Sequence, residues 1–235
     1  MTRWIFALFL VVAMQTPWIA VEAAEKPSNM DGNGAALLEF NGKPDKHGLI
    51  VVLGIPAAPA FDWPFAVYNA GKKPVKNVRL KIQEKYEGKK IPFNDKAWVY
   101  PSVIEPGEFG FGGASLVVGG QQVVAGPAGG LDAKFSISTS INSKDDRLVD
   151  LHVRNAKSDD SGEVSGTVSN LSKFDVKGIE VHRLCIEDDG IMTSYFSQID
   201  QRRLLEAGDS AEFKVSMNPC EKGNGFLVAS IALKA

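Results

Sequence analysis

The chain has 235 residues, with 26 lysines and arginines against 28 aspartates and glutamates, for a formal net charge of −2 with both signs interspersed. That balance offers no basic stripe for a nucleic acid and no block of charge for a strongly acidic or basic partner. Hydrophobic residues make up 44%, enough for globular domains, and 23 glycines with 12 prolines favour turn-rich β structure without the composition of a disordered chain.

At the N-terminus Arg3 precedes an apolar run from Trp4 to Met14, and the segment closes on Val21-Glu22-Ala23. The run falls short of the roughly 20 residues a membrane-spanning helix needs. A charged start, an apolar middle and a small residue at the end instead match a secretory signal peptide, residues 1–23, with cleavage expected after Ala23. No cysteine stands just after the run to carry a lipid. The mature chain is therefore expected to be exported, periplasmic or extracellular, with no membrane span. Residues 24–48 are polar and turn-rich around Ala35–Phe40 and read as a loose N-terminal arm with one edge strand.

The first domain, 49–142, opens with Leu49–Leu53, an apolar run between Gly48 and Gly54 that predicts a strand. Pro56, Pro59 and Pro64 cannot lie in a central strand, so they mark a turn before Phe65–Tyr68. Val78, Leu80 and Ile82 then alternate with Arg79, Lys81 and Gln83, the clearest half-buried strand of the chain. Its partner is expected near Ile91, and Val103–Gly107 carries a tight turn into Phe109–Val118. Residues 119–130, GGQQVVAGPAGG, form a glycine-rich insertion, and Phe135, Ile137, Thr139 and Ile141 close the domain. Loops on rigid scaffolds often carry binding, which makes Gln121 and Gln122 candidate surface contacts.

Residues 142–147 separate a second domain, 148–235, and this domain repeats the first. Asn69, Val75, Lys76, Ile104 and Gly107 recur as Asn170, Val176, Lys177, Leu205 and Gly208, each 101 positions later. A period near a hundred residues is that of a duplicated domain, not of a solenoid repeat. Leu148–Val153 opens the second copy, Glu163–Ser169 follows a polar turn, and Phe226–Leu233 is apolar enough for a closing strand. Ile179 and Val181 fall on Val78 and Leu80, but Arg183 takes the place of the inward-pointing Ile82. Either a β-bulge turns Leu184 and Ile186 to the core face, or the two copies differ there. Short strands at regular spacing, without helical periodicity, predict an all-β sandwich for each repeat. One large fused sandwich or barrel is the competing arrangement.

The run Gly166–Asn170, then Val176–Val181, Glu187–Gly190, Leu205–Gly208 and Phe213 resembles the FxLYD-type domains of exported bacterial proteins, and is similar to the related cell-adhesion-related bacterial domains. The resemblance spans one small domain in the second repeat and less in the first, with Leu184–Asp188 standing where the Phe-x-Leu-Tyr-Asp string would be. It implies two tandem immunoglobulin-like β-sandwiches and a non-catalytic extracytoplasmic module.

Cys185 and Cys220, in a chain bound for an oxidising compartment and without a CxxC neighbour, are expected to form a structural disulfide. His47, His152 and His182 are the only histidines, and none follows a cysteine as in a copper site. His182 aligns with the outward-facing Lys81 and is expected on the surface. Asp145-Asp146, Asp159-Asp160 and Asp188-Asp189 fall in turns without EF-hand spacing, so neither a metal nor a cofactor is expected. No Gly-x-Ser-x-Gly elbow is present, and the glycines of Gly107–Gly113 lie in a β pattern that lacks the helix of a phosphate cradle. Trp98 aligns with the apolar Ile199 and reads as core, whereas Trp63, set among prolines, is the better surface candidate. These residues describe a non-enzymatic binding or assembly module that recognises a protein partner through loops or a sheet edge. An accessory carbohydrate-binding module is the alternative, and it would show an aromatic platform at Trp63 or Trp98.

Overall fold

The computed structural model describes residues 19–21, 26–54, 62–86, 89–91, 97–115, 117–118, 121–122, 134–141, 146–186, 192–199, 203–220 and 225–235. Most of the expected signal peptide and most of the 119–130 insertion lie outside these residues. The described chain is all-β apart from one short 3-10 turn, Gly34–Leu37, and no helix in it is long and apolar enough to cross a membrane.

The arm contributes β1 (Phe40–Gly42), and the main strands of the first repeat are β2 (Leu49–Leu53), β3 (Asp62–Asn69), β4 (Val78–Tyr86), β5 (Phe109–Ser115) and β6 (Lys134–Ile141). One sheet runs β5-β3-β2, with Pro64 inside the central strand opposite Gly113 and not in a turn, a place it can take because the ladder with β2 reaches only to Phe65. A second sheet pairs β6 with β4, whose other edge takes the short segments Lys89–Ile91 and Ala97–Trp98. The alternation read in the sequence places Val78 and Leu80 inward, where they meet Leu49, Phe65, Val67 and Ile104 in one core.

The second repeat contains β7 (Leu148–Ser158), β8 (Glu163–Ser169), β9 (Val176–Ile186), β10 (Met192–Gln198), β11 (Ser210–Ser216) and β12 (Gly225–Lys234). The strand β7 serves two sheets, pairing through Leu148–Leu151 with β12 and through His152–Ser158 with β8. The resulting sheets, β7-β8-β11 and β10-β9-β12-β7, enclose a core of Leu151, Val153, Val164, Val168, Ile179, Val181 and Phe213.

The 101-residue offset survives in atomic contacts. Val75 faces Ile104 across a short ladder, and Val176 faces Leu205 in the same way. Asn69 Nδ2 donates to the carbonyls of Lys73 and Ile104, while Asn170 Nδ2 donates to those of Phe174 and Leu205. Gly107 and Gly208 hold φ of +84° and +88° in equivalent turns, a conformation that costs glycine no Cβ clash. One cross-strand pair is reversed between the copies. Phe65 on β3 faces Gly112 on β5, whereas Gly166 on β8 faces Phe213 on β11.

Arg183 does lie inward, fully buried, with no bulge beside it, because the register shift of β9 falls earlier, between Lys177 and Glu180. The copies therefore differ at this point. Two of the guanidinium nitrogens find acceptors, with Nη1 donating to Ser158 Oγ at 2.7 Å and Nη2 to the Asn218 carbonyl, while the buried Nε has no hydrogen-bond partner among the described residues; the group lies over the Tyr195 ring. Leu184 and Ile186 are buried on the opposite face of β9, in a third core shared by both repeats. There they meet Leu227 and Ala229 from β12, Ile50, Ala66, Phe109 and Phe111 from the first repeat, and Met30, Leu38 and Phe40 from the arm.

The arm is thus not loose. Asp31–Gly32 pairs with Leu227–Val228 in the lane that β7 leaves after Leu151, and Asp31 Oδ2 accepts the Ala156 amide at 2.8 Å. Ile19–Val21, inside the segment read as a signal peptide, pairs with β1. No ladder among the described residues joins the sheets of the two repeats, which meet through side chains instead.

Candidate functional site

Where the shared core reaches the surface, the two repeats leave a cleft. Its wall from the first repeat is the segment after Ala97: Trp98 pairs with Arg79 on β4, and Tyr100 bridges to Phe111 on β5. Its wall from the second repeat is the face of β9 and β10 that carries Glu180, His182 and Phe196, with His182 directly opposite Phe196 in the ladder. A cavity of about 260 Å³ opens between them, lined by Trp98, Tyr100, Glu180, His182 and Phe196 among others. An adjoining cavity of about 280 Å³ shares Trp98, Tyr100 and Glu180 and extends to Arg147 and Leu148.

The aromatic groups form a stack. Tyr100 lies on His182 with centroids 3.8 Å apart, and His182 lies on Phe196 at 5.8 Å. Phe196 ends the row 60% exposed, a large apolar ring left open to solvent. The Arg79 guanidinium covers one face of Trp98, 3.7 Å from its centroid. Beneath the row, Glu180 Oε2 meets His182 Nε2 at 3.2 Å, and Oε1 accepts from Gln198 Nε2 at 3.2 Å.

Electrostatics follow from burial and these contacts. Burial holds the His182 imidazole below its ordinary pKa, against the opposing pull of Glu180. The hydrogen bond from His182 draws the Glu180 carboxyl down, outweighing its partial burial. The pair is a neutral imidazole donating Nε2–H to an ionised carboxylate. The Tyr100 hydroxyl is pushed up, by burial first and then by the Glu180 charge. Both cleft walls are held together nearby, where Asp150 accepts the Ser102 amide and the Ser102 hydroxyl, each at 2.7 Å.

The residues singled out in the sequence divide among several places. Cys185 and Cys220 are joined as a disulfide, with Cα atoms 5.7 Å apart, behind the cleft in the second repeat. Trp63 pairs through its backbone with Ala114, and Gln121–Gln122 pairs with Val117–Val118. The side chains of Trp63, Gln121 and Gln122 lie outside what the structure describes. Trp98 is half-buried in the cleft wall, not enclosed in a core. His182 is a correction: it is 9% exposed, because the face of β9 that matches the solvent face of β4 is covered by the first repeat. Leu184 and Ile186, apolar at outward-pointing positions of the same strand, were the sequence signal for that cover. Among the described residues no three His, Cys, Asp or Glu side chains gather to hold a metal. Asp159 behaves as a turn former, with Oδ1 accepting from the amides of Ser161 and Glu163.

No protein-family model matches the chain, and no curated protein matches it.

Proposed function

We propose that this chain is an exported, non-enzymatic binding or assembly module of two tandem immunoglobulin-like β-sandwiches, and that it holds a protein partner in the aromatic cleft between its repeats. The observation that carries this reading is the row of Tyr100, His182 and Phe196 beside Trp98, which ends in a ring 60% exposed at the mouth of a cavity. Aromatic anchors at the rim of a rigid pocket are what protein recognition uses for most of its binding energy. The cleft sits on strands of two tightly packed repeats, so its geometry is already formed before binding. A binding role also suits the Glu180–His182 pair, since His182 Nε2 is engaged by the carboxylate and the ring is stacked between Tyr100 and Phe196. The Cys185–Cys220 disulfide supports an oxidising compartment and hence export.

Sugar binding is the second reading, favoured by the exposure of Phe196 beside Trp98. The packing favours protein over sugar, because Arg79 covers one face of Trp98 and Tyr100 spends one face on His182, which makes a packed wall and not an open platform. The test is a quantitative pull-down from the exported compartment with the mature protein and its Phe196→Ala and Trp98→Ala forms. A protein retained by the parent and lost about tenfold or more by both variants, with their thermal midpoints unchanged, supports the reading. Equal retention by the variants, or retention of glycan without protein, overturns it.

A further inference from the structure

The cleft's lining combines aromatic rings with a few polar groups. Among the described residues that line the 260 Å³ cavity, Glu180 is the only ionised side chain, seated among Trp98, Tyr100 and Phe196. Its two oxygens each accept one hydrogen bond, from His182 and from Gln198, and a carboxylate has room for about four, so acceptor capacity remains toward the cavity. The carboxylate side chain is 31% exposed, reachable by an entering group yet shielded enough for its charge to count. Ring faces attract cations through their quadrupole, and this wall already shows it, since Trp98 carries the Arg79 guanidinium on one face. Arg79 lines neither cavity, and Arg183 lies on the opposite face of β9 from Glu180 and His182. Arg147 reaches only the adjoining cavity.

Resting on the binding reading above, we propose that the 260 Å³ cavity is a cation site that takes a lysine or arginine side chain of the protein partner, with its charge on Glu180 and its aliphatic stem along Trp98, Tyr100 and Phe196. An apolar stem ending in a cation matches this surface chemically, whereas a carboxylate or phosphate would meet Glu180 with like charge. A neutral apolar side chain would fill the volume but leave a half-buried carboxylate without its counter-charge.

The experiment is a titration of the isotope-labelled mature protein, followed by amide and indole resonances. The probes are the amides of N-acetyl-arginine and N-acetyl-lysine and their neutral counterparts, the amides of N-acetyl-citrulline and N-acetyl-norleucine. Expected are saturable shifts at the Trp98 indole, Glu180 and Phe196 with both cationic probes, about tenfold weaker with the neutral ones, and weakening with added salt. Glu180→Gln, which keeps the shape and one acceptor oxygen but removes the charge, is expected to reduce cationic binding about tenfold. Phe196→Ala, on an exposed ring, is expected to reduce it while leaving the fold intact. Equal response to cationic and neutral probes, indifference to Glu180→Gln, or no saturable shift overturns the cation site. If these fail while the cleft variants still lose the partner in the pull-down, the binding reading stands and the cation inference alone falls.

Discussion

Two asparagines do the same work in the two halves of the molecule. Asn69 and Asn170 are fully buried, and each gathers the carbonyls of a turn and of a distant strand onto one amide. Removing the side chain deletes several hydrogen bonds at once, each contributing about 0.5–1.5 kcal/mol, although the carbonyls of Leu205 and Glu206 keep the amides of Val176 and Asp209. Asn170→Ala, which also removes the acceptor of the Ser172 amide and one partner of its hydroxyl, is expected to lower unfolding stability by about 2–4 kcal/mol in denaturant titration. A loss below about 1 kcal/mol would show that water replaces the amide there. His182 sets a pH dependence. Its folded pKa lies below its ordinary value, so the unfolded chain binds more protons as pH falls through the imidazole range, and stability is present above that range and lost below it. His182→Gln is expected to flatten the fall in stability between about pH 7 and pH 5. An unchanged slope would assign that fall to other groups.

Individual strands were legible in the sequence because period-two alternation and turn residues act locally. Val78 and Leu80, the Pro-Gly turn at 106–107 and the strands from Phe109, Lys134 and Gly225 all stand where the pattern places them. The faces that strands present to other strands were less legible. Arg183 in a core position reads as an error of alternation until Ser158 and Asn218 supply acceptors, and those lie 25 and 35 residues away. The reversed Phe–Gly pair shows how the copies conserve volume while moving the ring from one strand to its neighbour. A Cβ on Gly112 would come within 2.2 Å of the Trp98 carbonyl, whereas on Gly166 it would meet the movable Phe213 ring at 2.9 Å and the Arg154 carbonyl at 3.1 Å. Gly112→Ala is therefore expected to cost about 1–3 kcal/mol and to disturb the Trp98 wall, with Gly166→Ala milder. Comparable thermal midpoints for the two variants would contradict this.

Among the described residues each repeat has its own core and a third core lies between them. The sequence shows matching residues 101 positions apart but not the docking, because burial of a second strand face depends on the partner sheet and not on the strand's own pattern. Leu184 and Ile186 share a core with Phe109 and Phe111, 73 to 77 residues earlier in the chain, and the arm seals the layer with Met30, Leu38 and Phe40. A shared core couples the halves. Leu184→Ala is expected to cost about 2–5 kcal/mol and to lower the unfolding of both repeats together in one transition. Two separated transitions, with only one displaced, would show that the repeats behave as independent beads.

That docking makes the cleft, and the cleft carries the account, so the most direct measurement places a photoreactive benzoylphenylalanine at position 196 and, as a control, at 212 on the exposed side of β11, then irradiates the protein in its own exported compartment. Covalent capture of one protein from position 196, absent from 212 and suppressed when Glu180→Gln is added, is expected of a partner held in the cleft. Capture from 212 alone, or from both positions alike, would place recognition elsewhere on the surface and contradict it.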